Sequence, residues 1–352
     1  AWLCLALMLA AGIIAHHQKL SALLAAGILL LPATQYPATT WWSKPDLDRE
    51  YVLSLDVEHY FGNIQKMRKH LETDRQILWV TYYRNLYNAT HPSEINSPVS
   101  LSRNLLAWNQ PGTNGLILPV NPSASFLSIL FANELWFTLG DMTMAEHCAM
   151  LSMIFSPRNS GSRMIKRLAE INLVNGDDEA ALKYLRILDK TLLHKSWAEK
   201  RIPGQQTPRV KEWLEKKRRD IPTQDQLRSG NDAVTSLRNL VASNAGNLRA
   251  YEYLLCYHLL SKDLRSFVED YVPGKVSSPI FAEALLIHLA RQGNIRAEEL
   301  IKYQIPVEIA KEFADYTRIY EAKDTSLKEK YGKTYWFYYH FATTEPGKES
   351  KP

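Results

Sequence analysis

The sequence has few of the residues that mark disulfide scaffolds, metal centres or disordered chains. Its three cysteines, Cys4, Cys148 and Cys256, are far apart and form no CxxC or Cys/His spacing, which excludes a zinc ribbon or a disulfide framework. Only 15 glycines and 22% charged residues, beside 46% hydrophobic residues, exclude a largely disordered chain of 352 residues. We therefore expect most of the chain to fold.

Charge is absent from two stretches near the start of the chain. Residues 1–15 carry none, and after the sequence HHQK no charged residue occurs before Lys44. The 23 residues 20–42 are long enough to span a bilayer as a helix, and they end in a tryptophan pair that suits an interfacial belt. We interpret residues 1–43 as transmembrane segments. A cleaved signal peptide is the alternative.

An initiator methionine is also missing, so we expect the chain to begin inside a longer protein, within a preceding transmembrane helix. The charges that flank residues 20–42 do not decide the orientation, because HHQK carries one fixed positive charge and two titratable histidines, whereas SKPDLDRE mixes both signs. We predict a bacterial inner-membrane protein with an extracytoplasmic folded region, because paired spans and the tryptophan pair suit a hairpin that returns the chain outward.

Alternating strand patterns are absent as well. Beyond Lys44, apolar residues recur at helical spacing, and Pro, Gly, Asn and Ser clusters separate the helices. The segment RMIKRLAEINLVNGDDEAALKYLRILDKTLL shows two helices joined at Gly176, with Asp177 placed to cap the second helix. We predict similar hairpin turns at Gly62, Gly140, Lys262 and Gly293.

This unit resembles a tetratricopeptide repeat. Leu168 and Ala169 precede the turn at the distance that the repeat uses, and Ala181 follows Gly176 by five residues. Gly140 lies 36 residues before Gly176, close to the roughly 34-residue period of such repeats. The predicted fold is all-α: transmembrane segments over residues 1–43, then a tetratricopeptide-like α-solenoid of helical hairpins. Another helical-hairpin solenoid is the alternative.

A wider resemblance covers almost the whole chain. The order of a membrane segment, RMIKRLAEINLVNGDDEAALKYLRILDKTLLHKSWAEK, NLRAYEYLLCYHLLSKDL and a final YGKTYWFYYHF is similar to an uncharacterised family of bacterial multi-pass membrane proteins. That family has a tetratricopeptide-like carboxy-terminal half. The resemblance implies a fold and a location, and it implies no catalytic residue.

Motifs that carry chemistry are also missing. The sequence contains no GxSxG, GxGxxG or HExxH, and GKT at residues 332–334 lacks the first glycine of a phosphate-binding loop. We therefore predict no catalytic residue, no metal ligand and no cofactor. The basic stretch RVKEWLEKKRRD is interleaved with glutamates, which is typical of a solvated helix face, so we predict no nucleic-acid partner.

One polar cluster is a candidate binding site. Arg163, Lys166, Arg167 and Glu170 share one face of a helix, at spacings of three, four and seven residues. In tetratricopeptide arrays the first helix of each unit lines the groove, so these cations could hold a carboxylate or a phosphate of a peptide. A surface ladder in which Glu170 pairs with Lys166 and Arg167 is the alternative.

The aromatic run YWFYYHF, residues 335–341, is predicted to form a capping helix at the end of a solenoid over residues 44–352. Stacking on a ligand or docking at the membrane surface is the alternative. The leading functional hypothesis is a membrane-anchored protein whose groove binds a protein or peptide. The alternative is a substrate-positioning module of a larger membrane enzyme or transporter, acting on a glycan or lipid-linked substrate, with its catalytic part upstream.

Overall fold

The computed structural model describes residues 44–71, 126–155, 161–224 and 233–341, together with the single positions 80, 83 and 87. The regular structure of these ranges is helical and contains no strand, which confirms the all-α prediction there. None of the helices in these ranges is both long enough and apolar enough to cross a bilayer. The predicted transmembrane segments, residues 1–43, lie outside the described residues.

The chain divides into two compact units, residues 1–77 and 78–352. In the first unit, helices α1 (Lys44–Phe61) and α2 (Ile64–Leu71) pack on each other. Val52 and Leu55 of α1 and Met67 and Leu71 of α2 are buried. The domain boundary predicted between residues 43 and 44 stays a prediction.

The second unit begins, in its described part, with two hairpins and two shorter helices. Each hairpin packs its two helices together, and the second helix of the first hairpin also packs on the first helix of the second. These helices are α3 (Phe126–Leu139), α4 (Met142–Phe155), α5 (Ser162–Asn175), α6 (Asp178–Asp189), α7 (Lys195–Glu199) and α8 (Pro208–Arg218).

The rest of the second unit is also a succession of helices that pack on near neighbours in sequence. The central one, α12, buries most of its surface and contacts the helices before and after it. The helices are α9 (Ala233–Ser243), α10 (Leu248–Leu260), α11 (Leu264–Asp270), α12 (Pro279–Arg291), α13 (Ala297–Lys302), α14 (Val307–Glu321), α15 (Leu327–Tyr331) and α16 (Tyr335–Phe341).

The predicted hairpin turns are confirmed, and they share one backbone geometry. In each turn a residue with positive φ precedes an Asp or Asn whose N–H donates to the carbonyl five positions earlier, at 2.8–3.0 Å. This arrangement satisfies carbonyls that a helix end leaves unpaired. The positive φ values belong to Gly62 (70°), Gly140 (91°), Gly176 (83°), Lys262 (57°) and Gly293 (64°).

At three of the turns, the residue after the positive-φ position caps the next helix. The carboxylates of Asp141, Asp177 and Asp263 each accept a hydrogen bond at 3.0 Å from the N–H three positions later. This is the N-cap that the sequence predicted for Asp177. A glycine is required at Gly140 for a second reason, because a Cβ there would lie 2.2 Å from the carbonyl oxygen of Asp220.

The apolar stripes predicted around Gly176 form the packed interface of α5 and α6. Leu168 and Ala169 of α5 are fully buried, and so are Ala181 and Leu188 of α6. Small alanines on both helices let the two backbones approach closely, so the pair buries its leucines against each other and against neighbours.

The first four rings of the aromatic run of α16, residues 335–338, are buried, as the capping-helix prediction requires. Tyr335 and Trp336 have no exposed surface, and Tyr338 is nearly as buried. The indole of Trp336 packs against Phe313 and Tyr316 of α14, with ring centroids 5.3 and 5.5 Å apart. These rings are therefore core residues of the second unit.

Candidate anion-binding site

The four predicted site residues lie together on one face of α5, but that face is not a solvated surface. The side chains of Arg167 and Glu170 are only 11% and 13% exposed, and they form an ion pair in which Arg167 Nη1 lies 3.1 Å from Glu170 Oε2. The pairing of Arg167 with Glu170 that the ladder alternative expects is therefore present, but between side chains that are largely buried. Helix α8 packs beside α5, and Trp197 of α7 contacts Lys166, so α7 and α8 cover part of this face.

A buried carboxylate from the preceding hairpin completes the face. Glu134 of α3, 6% exposed, accepts a hydrogen bond from Arg163 Nη2 at Oε1, 3.0 Å, and from Arg167 Nη2 at Oε2, 2.5 Å. Arg167 also donates Nε to Asn133 at 3.1 Å. The two arginines therefore join the second hairpin to the first. The ladder interpretation missed this partner, because Glu134 is 29 and 33 positions away in sequence.

Two aromatic rings make cation–π contacts with cations at this face. The guanidinium of Arg167 lies 3.8 Å from the centroid of Phe137, and Lys217 Nζ of α8 lies 4.6 Å from the same centroid. On α7, Trp197 is contacted by Arg201 at 4.1 Å and by Lys166 Nζ at 5.1 Å. Such contacts attract cations to the ring face without adding a negative charge.

We call five cations and two carboxylates the basic cluster: Arg163, Lys166, Arg167, Arg201, Lys217, Glu134 and Glu170. The cations therefore outnumber the carboxylates by three. Within the ranges that the structure describes, Arg201 and Lys217 form no ion pair with a carboxylate.

Burial and like charges lower the pKa values of both lysines in the basic cluster. Burial lowers the pKa of Lys166, which Glu170 partly offsets and Arg167 and Arg201 reinforce. Burial lowers the pKa of Lys217 to about 8, with Arg249 and Arg167 acting in the same direction. A lowered pKa means that the charged form is disfavoured, so an anion bound among these cations would be stabilised by them.

The basic stretch of α8 differs from its predicted role as a solvated helix face. Arg209, Lys211 and Lys216 are exposed as expected. The last two cations of the helix instead bind main-chain carbonyls, because Lys217 Nζ donates to Phe137 O at 3.3 Å and Arg218 donates to Leu173 O and Val174 O at 2.8 and 3.0 Å. They occupy the carboxy-terminal ends of α3 and α5, where cations suit the helix dipole.

Other polar groups of the second unit have structural partners. The buried His258 lies 2.8 Å from Asp270, which also binds Arg238, so this pair is a packed network within the fold. In the described part of the chain, no group of three His, Cys, Asp or Glu side chains lies close enough to hold a metal ion.

Comparison with known proteins places the chain in a family. Its sequence matches no curated protein and no solved structure. The bacterial and membrane parts of the predicted resemblance stay predictions. A family of unknown function, DUF6057, matches residues 1–342, and the chain therefore belongs to that family.

Proposed function

We propose that the protein is a membrane-anchored helical-repeat protein that binds a protein or peptide partner by an anionic group held at the basic cluster. The observation that carries this proposal is the surplus of cations on and beside a half-buried face of α5, where Arg201 and Lys217 form no ion pair with a carboxylate of the described ranges. Desolvated cations bind carboxylates and phosphates more strongly than exposed ones do.

The geometry of the hairpins supports a repeat array. The five turns share one backbone arrangement, and α4 packs on α5, so the first hairpin of the second unit contacts the next. We propose that such pairing continues as a tetratricopeptide-like solenoid and that the aromatic helix α16 covers its end. Because α7 and α8 cover part of the α5 face, we expect only a compact group of the partner, such as a chain end or a side chain, to reach the basic cluster.

The membrane anchor in this proposal is residues 1–43, and it is supported by their two uncharged stretches. An extracytoplasmic second unit would meet partners of the bacterial envelope. Reporter fusions after Glu50 test this arrangement, with one enzyme that is active only outside the cytoplasm and one that is active only inside. Activity from the cytoplasmic reporter alone would contradict it.

Partner binding is tested by affinity capture from a bacterial membrane extract, with the full chain in mild detergent. Lys166→Gln removes a cation from the basic cluster and leaves the ion pairs of Glu134 with Arg163 and Arg167 in place, whereas changing either arginine would also break the link between hairpins. We expect Lys166→Gln to lower recovery of a specific partner. The matched control is Lys183→Gln, since Lys183 is 69% exposed and lies 3.8 Å from Glu179. Equal recovery with all three proteins would contradict the proposal.

A further inference from the structure

Arg201 is the member of the basic cluster whose hydrogen-bonding capacity is least used. Its Nη1 donates to the carbonyl oxygen of Trp197 at 3.2 Å, and its guanidinium lies 4.1 Å from the centroid of the same indole. Its Nε is buried and has no hydrogen-bond partner among the described residues. Its Nη2 makes no hydrogen bond in those ranges either.

The Nε–Nη2 edge is the edge with which arginine binds an oxyanion through two parallel hydrogen bonds. A buried N–H without an acceptor costs free energy, so this edge favours an acceptor with two oxygens. The contacts with Trp197 hold the guanidinium in one orientation, which lowers the entropy lost when a ligand binds. The structure thus presents a fixed bidentate donor.

The charges around this donor favour a ligand with more than one negative charge. Lys166 lies over the same indole, 5.1 Å from its centroid. Burial lowers the pKa of Arg201, and Arg209 lowers it further, whereas Glu170 raises it. Glu170 is already bound to Arg167, so it does not compensate Arg201 through a direct contact.

We infer that Arg201, with Lys166 beside it on Trp197, forms a binding site for a phosphate monoester. The inference rests on the proposed function, because it specifies the anionic group by which the partner is held. A carboxylate has two oxygens, and the arginine edge uses both. A phosphate monoester offers three acceptor oxygens and a charge of roughly −1.5 to −2 near neutral pH, so it can bind the arginine edge and also offset the second positive charge on the same ring.

Calorimetric titration of the full chain in detergent with phenyl phosphate tests this inference, with benzoate as the carboxylate of matched shape. We expect saturable binding of phenyl phosphate that Arg201→Lys weakens at least about tenfold, because lysine keeps the charge and loses the two-pronged edge. Arg201→Gln should weaken it further. Arg186→Gln, which changes an exposed arginine of α6, is the control and should bind as the unchanged protein does.

Three results would overturn the inference: no saturable binding by the folded protein, equal binding by Arg201→Lys, or benzoate binding as tight as that of phenyl phosphate. Thermal unfolding of each variant shows whether it is folded. Arg201→Lys keeps a cation over Trp197, so it still tests the site if Arg201→Gln does not fold. If partner capture still depends on Lys166 but phenyl phosphate does not bind, the proposed function stands and this inference is wrong. If phenyl phosphate binds but partner capture does not depend on Lys166, this site stands and the proposed function is wrong.

Discussion

Two regions of the second unit satisfy the carboxy-terminal carbonyls of a helix with different chemistry. At the ends of α3 and α5 most of the side-chain donors are charged: Lys217, Arg218 and Arg249, beside the neutral amide of Asn247. At the end of α10 they are phenols, because Tyr335 donates to Leu259 O at 2.9 Å and Tyr338 donates to Leu260 O at 2.8 Å. Both arrangements supply donors from distant parts of the sequence.

The difference shows where binding chemistry can arise. Cations suit the negative end of a helix dipole, but each brings a charge into a half-buried place. Glu134 and Glu170 offset part of the charge around α5, and the basic cluster keeps three more cations than carboxylates. Phenols satisfy carbonyls without adding charge, so the aromatic region around α16 needs no such compensation. We therefore expect the aromatic region to supply mainly stability and the charged region to supply recognition as well.

The largest effect expected from this comparison is the loss of a ring in the aromatic region. Trp336→Ala removes a fully buried indole whose Nε1 donates to Glu283 O at 2.9 Å. We expect the free energy of unfolding to fall by about 3–5 kcal/mol, as for other buried aromatic residues. Near-ultraviolet circular dichroism during denaturant unfolding measures it. Phe341→Ala is the control, since Phe341 is 48% exposed, and an equal loss there would contradict a buried aromatic core.

The charged region should respond most to the loss of its buried carboxylate. Glu134→Gln keeps the shape of the side chain but leaves Arg163 and Arg167 without that charge. We expect a loss of about 2–3 kcal/mol, below the roughly 3–5 kcal/mol of a fully buried pair, because the arginines are partly exposed. The same unfolding measurement applies. Glu179→Gln, at an exposed pair, should change the stability little, and a similar loss in both variants would refute the difference in burial.

Salt should separate the two kinds of helix-end contact. Tyr338→Phe leaves the Leu260 carbonyl without its donor and should cost about 1 kcal/mol at any ionic strength. Arg218→Met, which removes the donor to Leu173 and Val174, should cost a similar amount at low salt and less at about 1 M salt, where charges are screened. Unfolding at both salt concentrations tests this, and an identical salt response would contradict the distinction.

The smallest effect concerns pH. The pKa of Lys217 is about 8 in the folded chain, against an ordinary value of 10.5, so between these pH values the unfolded chain binds more protons. Stability from this group therefore rises as pH increases through about 8. The stability of the unchanged protein minus that of Lys217→Met should rise by about 1 kcal/mol from pH 7 to 9. Cysteines and tyrosines are common to both proteins and cancel, and a difference that shrinks with pH would contradict the lowered pKa.

The hairpin turns were predictable because their chemistry is local. Glycine tolerates positive φ, and four of the five turns were visible as Gly-Asp or Gly-Asn pairs. At Asp141 and Asp177 the second residue of the pair also caps the next helix. Gln304 and Lys323 adopt positive φ values of 54° in turns with the same backbone hydrogen bond. These two turns were missed, because neither residue type indicates such a conformation.

The candidate site was only partly predictable for a related reason. Helical periodicity placed Arg163, Lys166, Arg167 and Glu170 on one face, which the structure confirms. It gave no information on Glu134 or Arg201, because their proximity depends on how separate helices pack. Partial burial of the face was missed for the same reason. The spacing of four residues between Trp197 and Arg201 was the one local signal that could have indicated an arginine stacked on an indole.

The donors at the end of α3 also have a consequence for synthesis of the chain. The last carbonyls of α3 accept hydrogen bonds from side chains far along the sequence. The donors to Phe137, Thr138 and Leu139 lie 80, 111 and 108 positions later, and the donor to Leu139 is the buried Asn247. A ribosome adds about 5–20 residues per second, so these donors emerge roughly 5–20 s after the helix they complete. We expect the nascent α3–α4 hairpin to stay open to proteases until α10 has left the ribosome, which makes this helix end the natural place for a chaperone to act.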